Sequence, residues 1–215
     1  MRVLFCCFFL LTFGATATTA TTLLVFDNVY RDPYGVRASA LTLDYNVTGN
    51  FPGWRTATPP HLSLEVERLI QGAMGDDVTV YPATAYHGAF QYTLKDHQSW
   101  VHADRTAWGG VLYLSPNPPP HSGTRFYVHK ATALSERPTE LDARRWGFPS
   151  AAALLQHVHR DAANMSAWQL TDQVANRFNR LVLFRGYQWH RSAHYFGSDL
   201  QSARLFQTFF FDTRP

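Results

Sequence analysis

From Val78 to His129 the chain is cut into short runs rich in β-branched and aromatic residues: Val78 to Tyr81, Phe90 to Leu94, Trp100 to Ala103, Val111 to Leu114 and Arg125 to His129. Gly, Pro, Asp or Asn separates each run from the next. Runs this short cannot complete a stable helix, and turn residues at such regular intervals are what a series of antiparallel strands requires. The segments on either side add to the pattern. Leu23 to Phe26 reads as a first strand ending at Asp27-Asn28, and Asp32-Pro33 can cap and open a helix with Val36, Ala40 and Leu43 on one face. Phe51 to Arg55 reads as a turn-rich loop, and Ser63 to Met74 carries Leu64, Val66, Leu69 and Ile70 at near-helical spacing. Pro138 to Trp168 is richer in Ala and Leu and predicts two helices or a long insert, after which strands resume at Leu181 to Phe184, Trp189 to Ser192 and Arg204 to Phe211. Helices in front, a run of strands, a helical insert and closing strands predict an α+β fold built on a β-sandwich or jelly roll.

With 215 residues, 46% hydrophobic and 15% aromatic, the chain can bury one substantial core, so one domain is expected over residues 22–215. The net charge of +3 is small, and the Lys and Arg residues form no stripe, which argues against a nucleic-acid partner. The N-terminus has the make-up of a secretory signal peptide over residues 1–17: Met1-Arg2, the apolar stretch Val3 to Phe13, then Gly14-Ala15-Thr16-Ala17. Val3 to Phe13 is too short to span a bilayer, which takes about 20 residues, so the mature chain is expected to have no stable membrane span. The expected location is the secretory pathway, in the ER lumen or outside the cell. An uncleaved anchor extended by the following Thr/Ala run is the alternative. Both cysteines, Cys6 and Cys7, fall in this segment, which excludes disulfides from the mature chain. Asn46-Val47-Thr48 and Asn164-Met165-Ser166 have the form of N-glycan acceptors.

The candidate chemistry is concentrated in His102-Ala103-Asp104. In a strand, residues i and i+2 face the same side, so His102 and Asp104 can share one cation. Two imidazoles and a carboxylate form the facial three-ligand set of non-haem Fe(II) sites, which leaves coordination positions open. The sequence supplies its own control in His159-Arg160-Asp161, which follows the helical stretch Ala151 to Leu155. There i and i+2 diverge by about 200° around the axis, a poor arrangement for joint ligands. His190, between Trp189 and Arg191 at the start of a later strand, is the expected third ligand, and His194 is its rival.

These motifs, taken in order, resemble the 2-oxoglutarate and Fe(II)-dependent oxygenases, and their prolyl 4-hydroxylase-like branch in particular. The residues that carry the resemblance are Trp100 to Asp104, Gly110 to Leu114, Ser122-Gly123-Thr124-Arg125-Phe126-Tyr127, Trp189 to Ser192 and Arg204. The stretches Asp32 to Arg37 and Phe51 to Arg55 are similar to a little-characterised family within that superfamily. The resemblance covers about Phe26 to Phe211 and implies a double-stranded β-helix core with N-terminal helices and a helical insert. It implies that His102, Asp104 and His190 ligate Fe(II) and that Arg204 pairs with the distal carboxylate of 2-oxoglutarate, with a hydroxyl from Tyr92 or Tyr113. Thr124 is expected to shape the turn after Gly123, and Trp108, Trp189 and Arg125 to line a substrate mouth.

The sequence departs from the family pattern in two places. Arg204 follows His190 by fourteen positions where about ten is usual, and Phe206 occupies a place where a small hydroxyl residue is common, with Thr208 next on the same face. The implied activity is hydroxylation of a small molecule or peptide, with O2 consumed, 2-oxoglutarate converted to succinate and ascorbate as an accompanying reductant. Two other classes remain. A catalytically silent jelly-roll module would bind a glycan or protein, and a zinc hydrolase would use the same three ligands.

Overall fold

The computed structural model describes residues 22–57 and 63–215. The signal-peptide reading of residues 1–17 therefore lies outside the described residues. In chain order the elements are β1 (Leu23–Asp27), α1 (Pro33–Ala40), β2 (Val47–Gly49), β3 (Phe51–Arg55), α2 (Leu64–Met74), β4 (Thr79–Pro82), β5 (Phe90–Thr93) and β6 (Trp108–Tyr113). There follow β7 (Thr124–His129), α3 (Glu140–Arg145), α4 (Ala151–His159), β8 (Trp168–Val174), β9 (Arg180–Arg185), β10 (His190–Ser192) and β11 (Arg204–Arg214). No helix among the described residues is long and apolar enough to cross a membrane.

All strand pairs are antiparallel. An eight-stranded sheet runs β1-β9-β6-β11-β5-β3-β2, with β4 paired to the far end of β11, and it faces a three-stranded sheet ordered β10-β7-β8. Two facing antiparallel sheets with helices packed on their outer sides make up the expected α+β jelly roll.

Strand β9 shows how the layers divide. Leu181 and Leu183 point outward into a core shared with Val66 and Ile70 of α2 and Ala40 of α1, while Val182 and Phe184 point inward against Phe126 and Phe206 between the sheets. A strand covered on both faces becomes a continuous apolar run, as Leu181-Val182-Leu183-Phe184 is. Helix α4 closes the other side by burying Leu154 and Val158 against Val101, Tyr127, Trp168 and Trp189. The predicted helix starts hold: Asp32 accepts the Gly35 amide at 2.9 Å, and Ser63 caps α2.

Two expectations are corrected, and one strand is added. Phe51 to Arg55 is strand β3 rather than a loop, with Trp54 opposite Tyr92 and Arg55 opposite Gln91. Gly53 allows this with φ +79°, since a Cβ there would run into the Tyr92 carbonyl. Trp100 to Ala103 is no regular strand. It reduces to a single bridge in which His102 and His190 exchange backbone hydrogen bonds of 2.9 and 2.8 Å. Strand β8 was unforeseen, because its middle residues face solvent and carry no apolar alternation.

Candidate metal centre

The His102–His190 bridge brings the two imidazoles together, with ring centroids 4.4 Å apart. The Asp104 amide donates to the Gly186 carbonyl at 2.7 Å, which turns its carboxylate toward the same point, 3.7 Å from His190 Nε2. One ligand atom from each of His102, Asp104 and His190 lies within 4.8 Å of the other two. Backbone carbonyls hold the remaining ring nitrogens: His102 Nδ1 is 3.2 Å from the Trp100 carbonyl and His190 Nδ1 is 2.8 Å from that of Gln188. An Nδ1 proton committed to a carbonyl leaves Nε2 as the free lone pair, the tautomer a metal ligand needs.

Burial and the neighbouring His102 hold the His190 imidazole well below its ordinary pKa, so it is neutral. Burial pushes the Asp104 carboxyl up, and His102, Arg55 and Arg137 oppose that shift. Two glycines make the room. A Cβ on Gly109 would sit 2.7 Å from Asp104 Oδ2 and 2.8 Å from the Phe184 ring, and one on Gly186 would press on the Asp104 Cβ at 3.2 Å.

Arg204 opens β11 and is fully buried on the inner face. Its Nε donates to the Ser122 carbonyl at 3.0 Å, but neither Nη1 nor Nη2 has a partner among the described residues. The guanidinium lies over the Phe206 and Tyr113 rings, 4.5 and 5.3 Å from their centroids. Register separates the two candidate tyrosines. Tyr113 lies opposite Phe206 and is buried in the inner core, its hydroxyl 2.7 Å from Thr124 Oγ1. Tyr92 lies opposite Leu205, which faces the outer core, and it stacks on Trp54. Tyr92 is therefore on the wrong side of the sheet for the role expected of it. Burial raises the Tyr113 phenol, which is a neutral donor.

The other expectations divide. Thr124 is more than a turn residue, since its hydroxyl meets Tyr113 and its side chain lines the cavity beside the three ligands. Trp108 packs outward, parallel to Phe211, Trp189 is buried under α4, and Arg125 pairs at the surface with Gln173, so none lines the mouth. His194 sits beside His121, away from the cluster. The control motif does not converge: His159, the last residue of α4, turns toward Trp189, while Asp161, just beyond the helix, pairs with His129 at 3.2 Å. The same cavity is lined by Gln91, Tyr195 and Phe210, which the sequence does not single out, and by Phe51, Arg55 and Trp100, which it marks only through the family resemblance. A polar pair made by residues 36 apart leaves no local signal.

Among solved structures the chain is similar to HygX from Streptomyces hygroscopicus. The form with nickel and 2-oxoglutarate bound is 15% identical with a TM-score of 0.54, covering 91% of this chain and 83% of that one. The form that also holds hygromycin B is 16% identical with a TM-score of 0.53 over the same shares. A prolyl hydroxylase from Trichoplax adhaerens, in complex with a hypoxia inducible factor peptide fragment, is 14% identical with a TM-score of 0.41, covering 89% and 84%. The HygX likeness shows the jelly-roll fold that the oxygenase resemblance implied. No curated protein matches the sequence. A family model matches residues 11–211, nearly the whole chain, and the protein belongs to the family described as Family of unknown function (DUF6445).

Proposed function

We propose that this protein is an Fe(II)- and 2-oxoglutarate-dependent dioxygenase that hydroxylates a small molecule or peptide. The observation that carries the reading is the pairing of two features in the interior between the two sheets. Three convergent donors suit a divalent metal, and the buried Arg204 guanidinium has two nitrogens without a partner among the described residues. A buried cation without a counter-charge is costly, and a ligand carboxylate relieves that cost with two charge-assisted hydrogen bonds. HygX, a protein of the same fold, is described with nickel and 2-oxoglutarate bound, which supports the same use of this scaffold.

In this reading His102, Asp104 and His190 hold Fe(II), and Arg204 receives the distal carboxylate of 2-oxoglutarate. The bound metal and keto acid supply the activation of O2, with decarboxylation to succinate. The chain supplies placement. Phe184, packed 4.5 Å from the His190 ring, keeps water from one side of that ligand, and the Ser122 carbonyl fixes the reach of Arg204. Tyr113, held by Thr124, can donate a further hydrogen bond beside the guanidinium.

Adding Fe(II), 2-oxoglutarate and ascorbate in air and measuring succinate tests the proposal. Succinate that requires iron and disappears in His102→Ala and Asp104→Ala is the expected result. No succinate from protein shown to be folded would favour the silent binding module. Hydrolytic activity restored by zinc alone would favour the third class.

A further inference from the structure

The cavity that adjoins the three ligands opens to solvent and continues across the inner face of the large sheet to β3. There Arg55 is 6% exposed and held in one orientation. Its Nε and Nη2 both donate to Gln91 Oε1, at 3.0 and 2.6 Å, and Gln91 is itself fixed by donating to the Pro52 carbonyl at 2.7 Å. The guanidinium carbon lies 4.0 Å from the centroid of the Phe51 ring, with Tyr86 and Phe210 close by. Its Nη1 makes no hydrogen bond, and no carboxylate pairs with it among the described residues.

Arg55 is not alone in this. The two cavities that border the ligands are also lined by Arg105, Arg137 and Arg191, none of them in an ion pair among the described residues, and Asp104 is the one acid lining either. A divalent metal and a dicarboxylate cancel each other, and the one carboxylate of Asp104 feels the charges of both Arg55 and Arg137. One acid against four cationic side chains leaves the opening positive on balance. Such a field concentrates anions and raises their rate of arrival.

Building on the oxygenase reading, we propose that the substrate is a small molecule carrying a carboxylate on an apolar body, and that Arg55 is the residue that binds this carboxylate. In the order of the sheet, β3 lies three strands from β6, whose Gly109 seats Asp104, so Arg55 and the three ligands enter the same cavity from different strands. That separation leaves room for the body of a small substrate along Phe51, Phe210 and Trp100 while its reacting carbon reaches the metal. Arg55 has the features of a positioned receptor: a fork fixed by Gln91, a stacked aromatic platform and no carboxylate in contact with it among the described residues.

The probes are 3-phenylpropanoate and its neutral isostere 3-phenylpropanamide, titrated by ligand-observed NMR into protein loaded with Mn(II) and 2-oxoglutarate, so that Arg204 is already occupied. The carboxylate is expected to bind at least tenfold more tightly than the amide. Arg55→Met should remove that preference while 2-oxoglutarate affinity stays within twofold of wild type. Arg55→Lys, which keeps the charge but loses the fork, should weaken carboxylate binding about fivefold and covers the case in which Arg55→Met does not fold. Equal binding of acid and amide by the wild type overturns the proposal, as does a preference that survives in Arg55→Met or is undiminished in Arg55→Lys. Loss of 2-oxoglutarate affinity in Arg55→Met also overturns it, by assigning Arg55 to the co-substrate. If the wild type takes up no 2-oxoglutarate at all, the oxygenase reading fails instead, and the same titration on unloaded protein still decides the role of Arg55.

Discussion

Replacing Arg204 with methionine separates ligand binding from folding in a way few core substitutions can. The side chain is fully buried, and its one hydrogen bond runs from Nε to the Ser122 carbonyl, while Nη1 and Nη2 have none among the described residues. Losing the Nε bond costs about 1 kcal/mol, and removing unpaired buried polar groups returns about 1–3 kcal/mol. The apoprotein of Arg204→Met is therefore expected to melt within a few degrees of wild type, or above it, unlike the usual core truncation. Binding should move the other way. Two charge-assisted hydrogen bonds to a carboxylate contribute about 1.5–3 kcal/mol each, so losing both amounts to at least 3 kcal/mol, or roughly 150-fold in Kd. Calorimetric titration of 2-oxoglutarate into Mn(II)-loaded protein reads this directly. Arg191→Ala is the control, because that side chain spends its donors on the Ser192 carbonyl and the Met165 sulfur. A Kd for Arg204→Met within threefold of wild type, or an equal loss in Arg191→Ala, would refute the reasoning.

Two further perturbations follow from the same geometry. Gly109→Ala places a methyl 2.7 Å from Asp104 Oδ2, so Mn(II) affinity should fall at least tenfold while the far-ultraviolet circular dichroism stays that of the wild type; unchanged affinity would show that the carboxylate has slack. His87 and His190 are both held below their ordinary pKa of 6.5 by burial, so below that pH the unfolded chain binds more protons than the folded one. Apoprotein stability should thus be fully present above about pH 6.5 and fall as the pH drops toward 5. His87→Gln should flatten that slope in a series of thermal melts, and an unchanged slope would remove His87 from the account.

The parts of the fold legible in the sequence are those whose burial has a local rhythm. Strand β9 is a continuous apolar run because both its faces are covered, and α1 and α2 announce themselves through Asp32 and Ser63 at their starts. Strand β8 gives no such signal, since its middle residues face solvent, and β3 is masked by Pro52 and Gly53, which read as a turn. The metal cluster was legible because His102 and Asp104 are two apart and the chain offers a helical counterexample at His159. The choice between Tyr92 and Tyr113 was not legible. It depends on which residues face Phe206 and Leu205 across the sheet, and register is a property of the assembled strands. The same holds for Arg55 and Gln91, which meet only because β3 and β5 pair.

The central claim is that one divalent metal sits among His102, Asp104 and His190 and that Arg204 holds 2-oxoglutarate beside it. Mn(II) titration followed by electron paramagnetic resonance, with and without 2-oxoglutarate, tests it most directly. The account predicts one Mn(II) per chain, bound more tightly when 2-oxoglutarate is present, with the site lost in Asp104→Ala and the tightening lost in Arg204→Met. Stoichiometric Mn(II) binding that survives in Asp104→Ala, or that is indifferent to 2-oxoglutarate in the wild type, would contradict it.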